Sequence, residues 1–421
     1  MRVGIIGGGM AGVLAAWLLD GTHETVLFES RGELGGNARS RGMVLRGQHH
    51  WFDLGTQEVS DEEYPLHARL LRVLGFGAED LVAVPGSRTI LRNDPSEPLL
   101  VGPHAPDTGW SRSPVLGGYW DCLSRFLRVA MEWEERDRDW RTPLAELLEE
   151  SGIADEGTRD VLRCLPSSLF GCSLAEADEL SARAATAFFL GGDSSEAAPS
   201  TENLRGGLES VVWSMAADLC SAEIRTGVTV ENVLRDGQRY ELVDSVAGRS
   251  TVDAVVFAAP PPVSECVLSS LAGAESLRGI LGSFPYRRVE YGLHRDPVYM
   301  PARTEHWSTN NVSIHDGWGE TSTWYGPING ADVFKSQLTH RPSKPRVLLG
   351  REEFDQLLPV SEVFTAQRRL AERQGEGSLY FAGHYTAGLD SQETTVRSAV
   401  DVARSLAPRS PRLGRLLDEK R

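Results

Sequence analysis

The chain has 421 residues, a formal net charge of −16 and 41% hydrophobic residues, which fits a globular protein with a substantial core. The acidic charge disfavours nucleic acid and anionic membrane surfaces as partners, and no apolar run reaches the roughly 20 residues needed to cross a bilayer. The five cysteines form no CxxC pair, which argues against a disulfide framework or a metal site and favours the cytoplasm.

The chain opens with "MRVGIIGGGMAGVLAAWLLD", which predicts a buried strand, a glycine-rich turn and a helix. It lacks the basic start and the A-x-A site of a secretion signal. Gly7, Gly9 and Gly12 have the spacing G-x-G-x-x-G, and a second strand, "ETVLFE", ends at Glu29. This order predicts that a pyrophosphate binds at the helix N-terminus, although a purely structural βαβ unit has the same outline. Glu29 can accept a ribose 2′-hydroxyl, which favours FAD or NAD over NADP.

The segment after Glu29, "RGELGGNARS", contains the doublet Gly35–Gly36, where two adjacent glycines let the chain pass close to phosphates. Arg39 can neutralise phosphate charge there, and Ser40 can donate a hydrogen bond. The segment resembles the glycine-doublet motif of the flavin-containing amine oxidase superfamily, which has a glutathione-reductase-type FAD domain. "FDLGTQ", which contains Gly55 and Thr56, is similar to the strand that closes over the flavin edge in that superfamily.

Two later segments resemble the same superfamily in the same order. In "GVTV", the resemblance implies a backbone contact from Val228 to the adenine. "GSLYFAGHYTAGLDSQETTVRSAVDVARSL" resembles the closing FAD motif, with a strand ending at Gly383 and a helix beginning near Thr394. The resemblance then implies that the N–H groups of Thr395 and Val396 face the N1/O2 edge of a flavin.

The resemblance implies an α/β fold with a discontinuous Rossmann-type FAD-binding domain and an inserted α+β substrate domain. No cysteine or histidine lies at an obvious attachment motif, so we expect the FAD to be bound without a covalent link. We expect the FAD-binding domain to comprise residues 1–60, 203–275 and 365–410, the substrate domain 61–202 and 276–364, and a tail 411–421. The predicted cofactor-binding residues are Gly7, Gly9, Met10, Ala11, Gly12, Glu29, Ser30, Gly35, Gly36, Asn37, Arg39, Ser40, Gly55, Thr56, Val228, Ala259, Gly383, His384, Thr395 and Val396.

The loop after "YFAG" supplies the first catalytic candidates. His384 and Tyr385 lie where the superfamily's chain runs beside the flavin, although packing of the loop would also explain them. "LDSQET" places Asp390 and Glu393 nearby, and a direct contact from either to the substrate is an open alternative.

The second insert supplies the other catalytic candidates. Tyr325, with Trp324, could form one wall of an aromatic cage as in amine oxidases, or both could be core residues. Amine oxidases typically use a lysine that holds a water against flavin N5, and Lys335 in "DVFKSQ" is the candidate for that role. The superfamily's aromatic before the closing helix is absent, since Thr394 and Thr395 occupy those places.

The sequence contains neither a second G-x-G-x-x-G after a strand nor a CxxC pair, so electrons most simply come from the organic substrate. The resemblance implies an oxidoreductase that takes hydride from a C–N or C–C bond of a small molecule onto FAD, with reoxidation by oxygen or another acceptor. A redox-neutral enzyme such as a fatty-acid double-bond isomerase, a lipid-modifying desaturase or saturase, and a non-enzymatic FAD binder all stay open. Monomer and homodimer are both open.

A finer similarity joins "LHRDPVYMP", "EHWSTNN" and "AQRRLAERQGEGSLYFAG". These segments are similar to a bacterial subgroup of predicted FAD-dependent oxidoreductases associated with cyclopropane fatty acid synthases. The chain departs from that subgroup in several loops, so lipid chemistry does not transfer directly.

Overall fold

The structure is a computed structural model that describes residues 1–92, 95–102, 114–190 and 201–418. The strands are β1 (Arg2–Ile6), β2 (Glu24–Glu29), β3 (Ser40–Leu45), β4 (Gln48–Asp53), β5 (Glu58–Val59), β6 (Leu81–Val84), β7 (Arg88–Arg92), β8 (Leu100–Gly102), β9 (Thr201–Leu204), β10 (Glu223–Thr226), β11 (Val230–Asp236), β12 (Arg239–Asp244), β13 (Arg249–Val252), β14 (Ala254–Phe257), β15 (Tyr286–His294), β16 (Asn310–His315), β17 (Trp318–Trp324), β18 (Phe334–Gln337), β19 (Leu348–Leu357) and β20 (Leu379–Phe381).

The α-helices are α1 (Met10–Leu19), α2 (Pro65–Val73), α3 (Pro114–Glu135), α4 (Leu144–Glu150), α5 (Glu156–Phe170), α6 (Leu174–Ala177), α7 (Ala182–Leu190), α8 (Glu209–Ala217), α9 (Pro261–Val267), α10 (Glu275–Leu281), α11 (Gly326–Asn329), α12 (Ser361–Ala371), α13 (Gln392–Leu406) and α14 (Pro411–Leu417). Among the described residues, no helix is long and apolar enough to cross a membrane.

A parallel sheet with the strand order β10-β2-β1-β14-β20 forms the centre of the first domain. Its central strands β2, β1 and β14 are nearly continuous apolar runs because helices cover one face of the sheet and the antiparallel β11-β12-β13 sheet covers the other. Val3 of β1 pairs with Thr25 on one side and with Ala254 on the other, so distant parts of the chain meet beside β1. The predicted α/β class with a Rossmann-type domain is confirmed.

Helix α1 is buried along its whole length, since α8, α13 and α14 pack against it. Leu413 and Leu416 of α14 lie in the same apolar core as α1. The segment predicted as a C-terminal tail therefore contains a helix that is packed into the core of the first domain.

The inserted segments build a mixed sheet with the order β19-β15-β18-β17-β16-β7-β8. Within it β16 and β7 run parallel, while the other neighbouring pairs are antiparallel. Helix α5 packs on β16 and β17 through the apolar side chains Leu165, Val312 and Ile314. This sheet and its helices form the second wall of the cavity described below.

Candidate active site

A cavity of about 600 Å³ takes its lining from both the parallel sheet and the mixed sheet. This is the junction at which open α/β proteins usually bind ligands. The predicted residues that line it are Gly7, Gly9, Met10, Ala11, Glu29, Ser30, Gly35, Gly36, Asn37, Gly55, Thr56, Val228, Ala259, Lys335, Gly383, His384, Tyr385 and Thr395.

The glycine-rich turn leaves bare backbone at one end of this cavity. Gly7 has a φ of +114°, which favours glycine, and a Cβ on Gly12 would lie 1.9 Å from the carbonyl oxygen of Gly7. A Cβ on Gly9 would lie 3.6 Å from the Cα of Gly36, so the two glycine segments approach each other closely. Backbone at the start of α1, with its unpaired N–H groups, fits a pyrophosphate.

Glu29 is fixed at the carboxyl end of β2. Its two carboxylate oxygens accept the N–H groups of Gly8 and Arg31, each at 2.7 Å. The N–H of Val228 donates to the backbone oxygen of Glu29 at 3.0 Å. This bond holds Val228 beside the glycine-rich turn, which we call the glycine cradle. A carboxylate oxygen has a second lone pair, so Glu29 can still accept a ribose hydroxyl.

Two residues predicted to contact phosphate lie outside the lining. Arg39 is buried and donates to Glu209 at 2.8 Å, and Glu209 also accepts the N–H of Ser40. The Ser40 hydroxyl donates to Asp53 at 2.5 Å. Burial explains these pairs, because an unpaired guanidinium or hydroxyl would be costly there. Phosphate contacts from Arg39 and Ser40 stay predictions.

The closing helix begins two residues earlier than the sequence predicts. Ser391 caps α13 by accepting the N–H of Thr394 at 3.1 Å, and Thr395 already donates to the Ser391 carbonyl at 3.0 Å. Helix geometry therefore leaves the first N–H groups, those of Gln392 and Glu393, without intrahelical acceptors. Val396 is buried inside the domain core rather than in the cavity wall.

His384 has a charged partner inside the cavity. Its Nδ1 lies 2.9 Å from the carboxylate of Asp390. Burial opposes protonation of His384, but the charge of Asp390 and its hydrogen bond to the ring together outweigh burial, so the pKa of His384 lies above its ordinary value. Tyr385 is almost fully buried, its hydroxyl donates to the Phe257 carbonyl at 3.3 Å, and burial raises its pKa.

Glu393 lies outside the lining and has a structural partner. One carboxylate oxygen accepts the N–H groups of Leu66 and His67, at 2.9 and 3.0 Å. These are donors in the first turn of α2, which have no intrahelical acceptors, so Glu393 joins α13 to α2. A direct contact from Glu393 to the substrate stays a prediction.

Lys335 lies in the cavity wall beside the segment predicted to close over the flavin. Its Nζ donates to the Gly55 carbonyl at 2.9 Å and to the Gln57 side-chain oxygen at 2.7 Å. Burial lowers the pKa of Lys335 to about 8, against the opposing attraction of Asp53. Lys344, also in the second insert, is half-exposed and lies 3.9 Å from Glu290.

Asp53 and Tyr325 form a layer behind Lys335. Tyr325 is buried, and its hydroxyl lies 3.1 Å from both the Asp53 carbonyl and the Gln57 side chain. Burial raises the pKa of Asp53 to about 6. Tyr325 thus packs behind the cavity lining, and its role as a cage wall stays a prediction. Asp53 is not among the residues that the sequence predicts for the site, although it lies in the quoted "FDLGTQ".

The sequence profile of flavin containing amine oxidoreductases matches residues 10–285, more than half of the chain. The chain belongs to this family. A search of curated sequences returns no significant match. FAD is therefore the cofactor that the glycine cradle fits, and the protein is an FAD-dependent oxidoreductase.

Solved structures share this fold along nearly the whole chain. Cyclohexylamine oxidase from Brevibacterium oxydans IH-35A is 16% identical, with a TM-score of 0.66 over 96% of this chain and 99% of that chain. Putrescine oxidase bound to putrescine is 15% identical, with a TM-score of 0.66 over 97% and 100%. A CLA-producing fatty acid isomerase from P. acnes is 13% identical, with a TM-score of 0.68 over 96% and 98%. At these identities the likeness concerns the fold.

Proposed function

We propose that the protein removes a hydride from a carbon–nitrogen bond of a small organic substrate. The FAD supplies the hydride acceptor, and oxygen or another acceptor regenerates it. The observation that carries the proposal is the position of Lys335, which lines the cavity between the FAD-binding domain and the mixed sheet. It stands beside Gly55 and Gln57, in the segment expected to close over the flavin.

Lys335 can hold a water molecule or a substrate atom. An ammonium group has three N–H donors, and two of them are used by Gly55 and Gln57. A third N–H stays available at the cavity wall. With a pKa of about 8, Lys335 is mostly protonated at pH 7 and exchanges its proton within the pH range of an ordinary assay.

His384 can supply a second positive charge to the cavity when its imidazole is protonated. Its pairing with Asp390 favours the protonated form relative to an isolated histidine, and burial makes the field of that charge stronger than it would be in water. Negative charge that develops in the cavity during the reaction would be stabilised by this imidazolium.

The test is an anaerobic spectrum of the holoenzyme with a panel of amines, amino acids and unsaturated fatty acids. The flavin absorption near ~450 nm reports whether the cofactor has taken up electrons. We expect one amine class to bleach this band without oxygen, and air or an added acceptor to restore it. A band that stays unchanged with every amine contradicts the proposal.

A redox-neutral reaction is the second candidate. Its support is the fold shared with the fatty acid isomerase and the apolar side of the cavity, formed by Leu165, Leu169 and Phe188. In the same experiment, an unsaturated fatty acid converted to a product of unchanged mass, with the flavin still oxidised, would favour isomerisation.

A further inference from the structure

A row of four polar side chains crosses the mixed sheet at the cavity. Arg88 of β7 pairs with Asn310 of β16, Asn310 pairs with Thr323 of β17, and Thr323 pairs with Lys335 of β18. All four residues line the cavity. Adjacent strands are about 4.8 Å apart, so the Cα atoms of Arg88 and Lys335 are separated by about 14 Å. The row therefore places a cation at each end.

This row faces the cavity because α5 covers the next row of side chains on the same face of the sheet and stops short of this one. The residues two positions along, including Ile90 and Val312, face the same way and are buried against Leu165 of α5. In the exposed row, Thr323 donates to the side-chain oxygen of Asn310 at 2.8 Å. This bond orients the amide group and leaves its NH₂ donors available.

The side of the cavity near α5 is apolar, in contrast to the polar row on the sheet. Leu165 and Leu169 of α5 and Phe188 of α7 contribute apolar surface to the lining. A ligand lying along the row would thus have an apolar surface near it and polar groups along its length. This arrangement suits an elongated molecule with an apolar body and a charged end.

Arg88 determines the sign of that charged end. A guanidinium presents a planar fork of donors that matches a carboxylate. Burial lowers the pKa of Arg88, and the negative charge of Glu58, which also lines the cavity, opposes this effect. Glu58 is therefore one acid with which a bound carboxylate would compete.

We propose that the cavity binds an elongated substrate through a carboxylate group held by Arg88, at the end of the row opposite Lys335. The inference rests on the proposed function in one respect, since it takes Lys335 to mark the reacting end. It adds a substrate class, carboxylates with a long apolar body, to the reaction proposed above.

The test measures binding rather than turnover. Isothermal titration calorimetry of the holoenzyme compares straight-chain carboxylates with primary alcohols of the same length. Arg88→Met should weaken carboxylate binding about 10- to 100-fold and leave alcohol binding unchanged, because it removes a charge-assisted hydrogen bond. Arg88→Lys should give an intermediate affinity. Arg295→Met, the same change at an exposed arginine, is the matched control and should have no effect.

Glu58→Gln tests the proposal from the other side. If Arg88 binds the substrate carboxylate, removal of the competing acid should tighten carboxylate binding several-fold. The proposal is overturned if wild type binds carboxylates no tighter than alcohols, if Arg88→Met keeps the wild-type preference, or if Glu58→Gln weakens carboxylate binding. Bleaching of the flavin by an uncharged amine would still support the proposed oxidation, so the two failures are distinguishable.

Discussion

Replacement of Lys335 by methionine tests whether this lysine carries a buried charge. Its pKa falls from 10.5 to about 8 in the folded protein. At about 1.4 kcal/mol for each pH unit, this difference corresponds to about 3 kcal/mol of stability lost when the buried amine is protonated. Methionine has a similar length and carries no titrating proton, so the variant lacks this loss of stability.

The pH range over which Lys335 affects stability follows from the lowering of its pKa on folding. Because the unfolded chain binds the proton more tightly than the folded one, the full penalty exists below pH 8 and disappears as the pH rises towards 10.5. The stability of wild type relative to Lys335→Met should therefore rise by about 3 kcal/mol between pH 7 and pH 10.5. Above pH 7, Asp53, with a pKa of about 6, is mostly ionised in wild type.

Urea unfolding of the holoenzyme at several pH values, in a fixed excess of FAD, measures this difference. Lys344→Met, the same change at a half-exposed lysine, is the control and should leave the free energy of unfolding almost unchanged. A stability difference between wild type and Lys335→Met that does not vary with pH would refute the reasoning about burial. The rate of substrate-driven bleaching should fall about 10²-fold or more in Lys335→Met, if Lys335 moves a proton in the reaction.

Three further substitutions test separate parts of the site. Gly12→Ala places a Cβ against a backbone carbonyl, so we expect it to lower the free energy of unfolding by about 1–3 kcal/mol and to lower the FAD content of purified protein. In the control Gly32→Ala the Cβ meets nothing within 4 Å, so stability and FAD content should both match wild type. Asp390→Asn removes the charge that raises the pKa of His384, so the NMR titration midpoint of His384 should fall; an unchanged midpoint would contradict the pairing. Glu393→Gln should lower stability by about 1–2 kcal/mol in urea unfolding, with little change in the rate of flavin reduction; a large loss of that rate would support the substrate contact instead.

The sequence predicts those parts of the site that depend on local geometry. The spacing of Gly7, Gly9 and Gly12 between an apolar run and a helix is a local pattern, and it leads directly to β1, α1 and β2. The class of fold and the cofactor follow from this pattern and the later segments that resemble the family. Lys335 lies in the cavity wall, and its role of holding a water against the flavin stays a prediction.

Other parts of the site depend on partners that lie far away in the chain. The residues next to Arg39 in the sequence predict a phosphate contact, but its side chain pairs with Glu209, which is 170 residues away. The donors to Glu393 come from the start of α2, more than 300 residues earlier. The row from Arg88 to Lys335 exists only once four strands have a fixed register, which no local pattern specifies.

The strand order of the parallel sheet has a consequence for how the protein folds. β1 emerges first during synthesis, but its partner β14 follows about 250 residues later, and β20 later still. Contacts between segments so distant form slowly, and an apolar strand waiting for its neighbour is prone to aggregate. The nucleotide cradle can therefore mature only late in synthesis. For the same reason, no contiguous N-terminal fragment that ends before β14 should retain FAD, however complete its glycine motif.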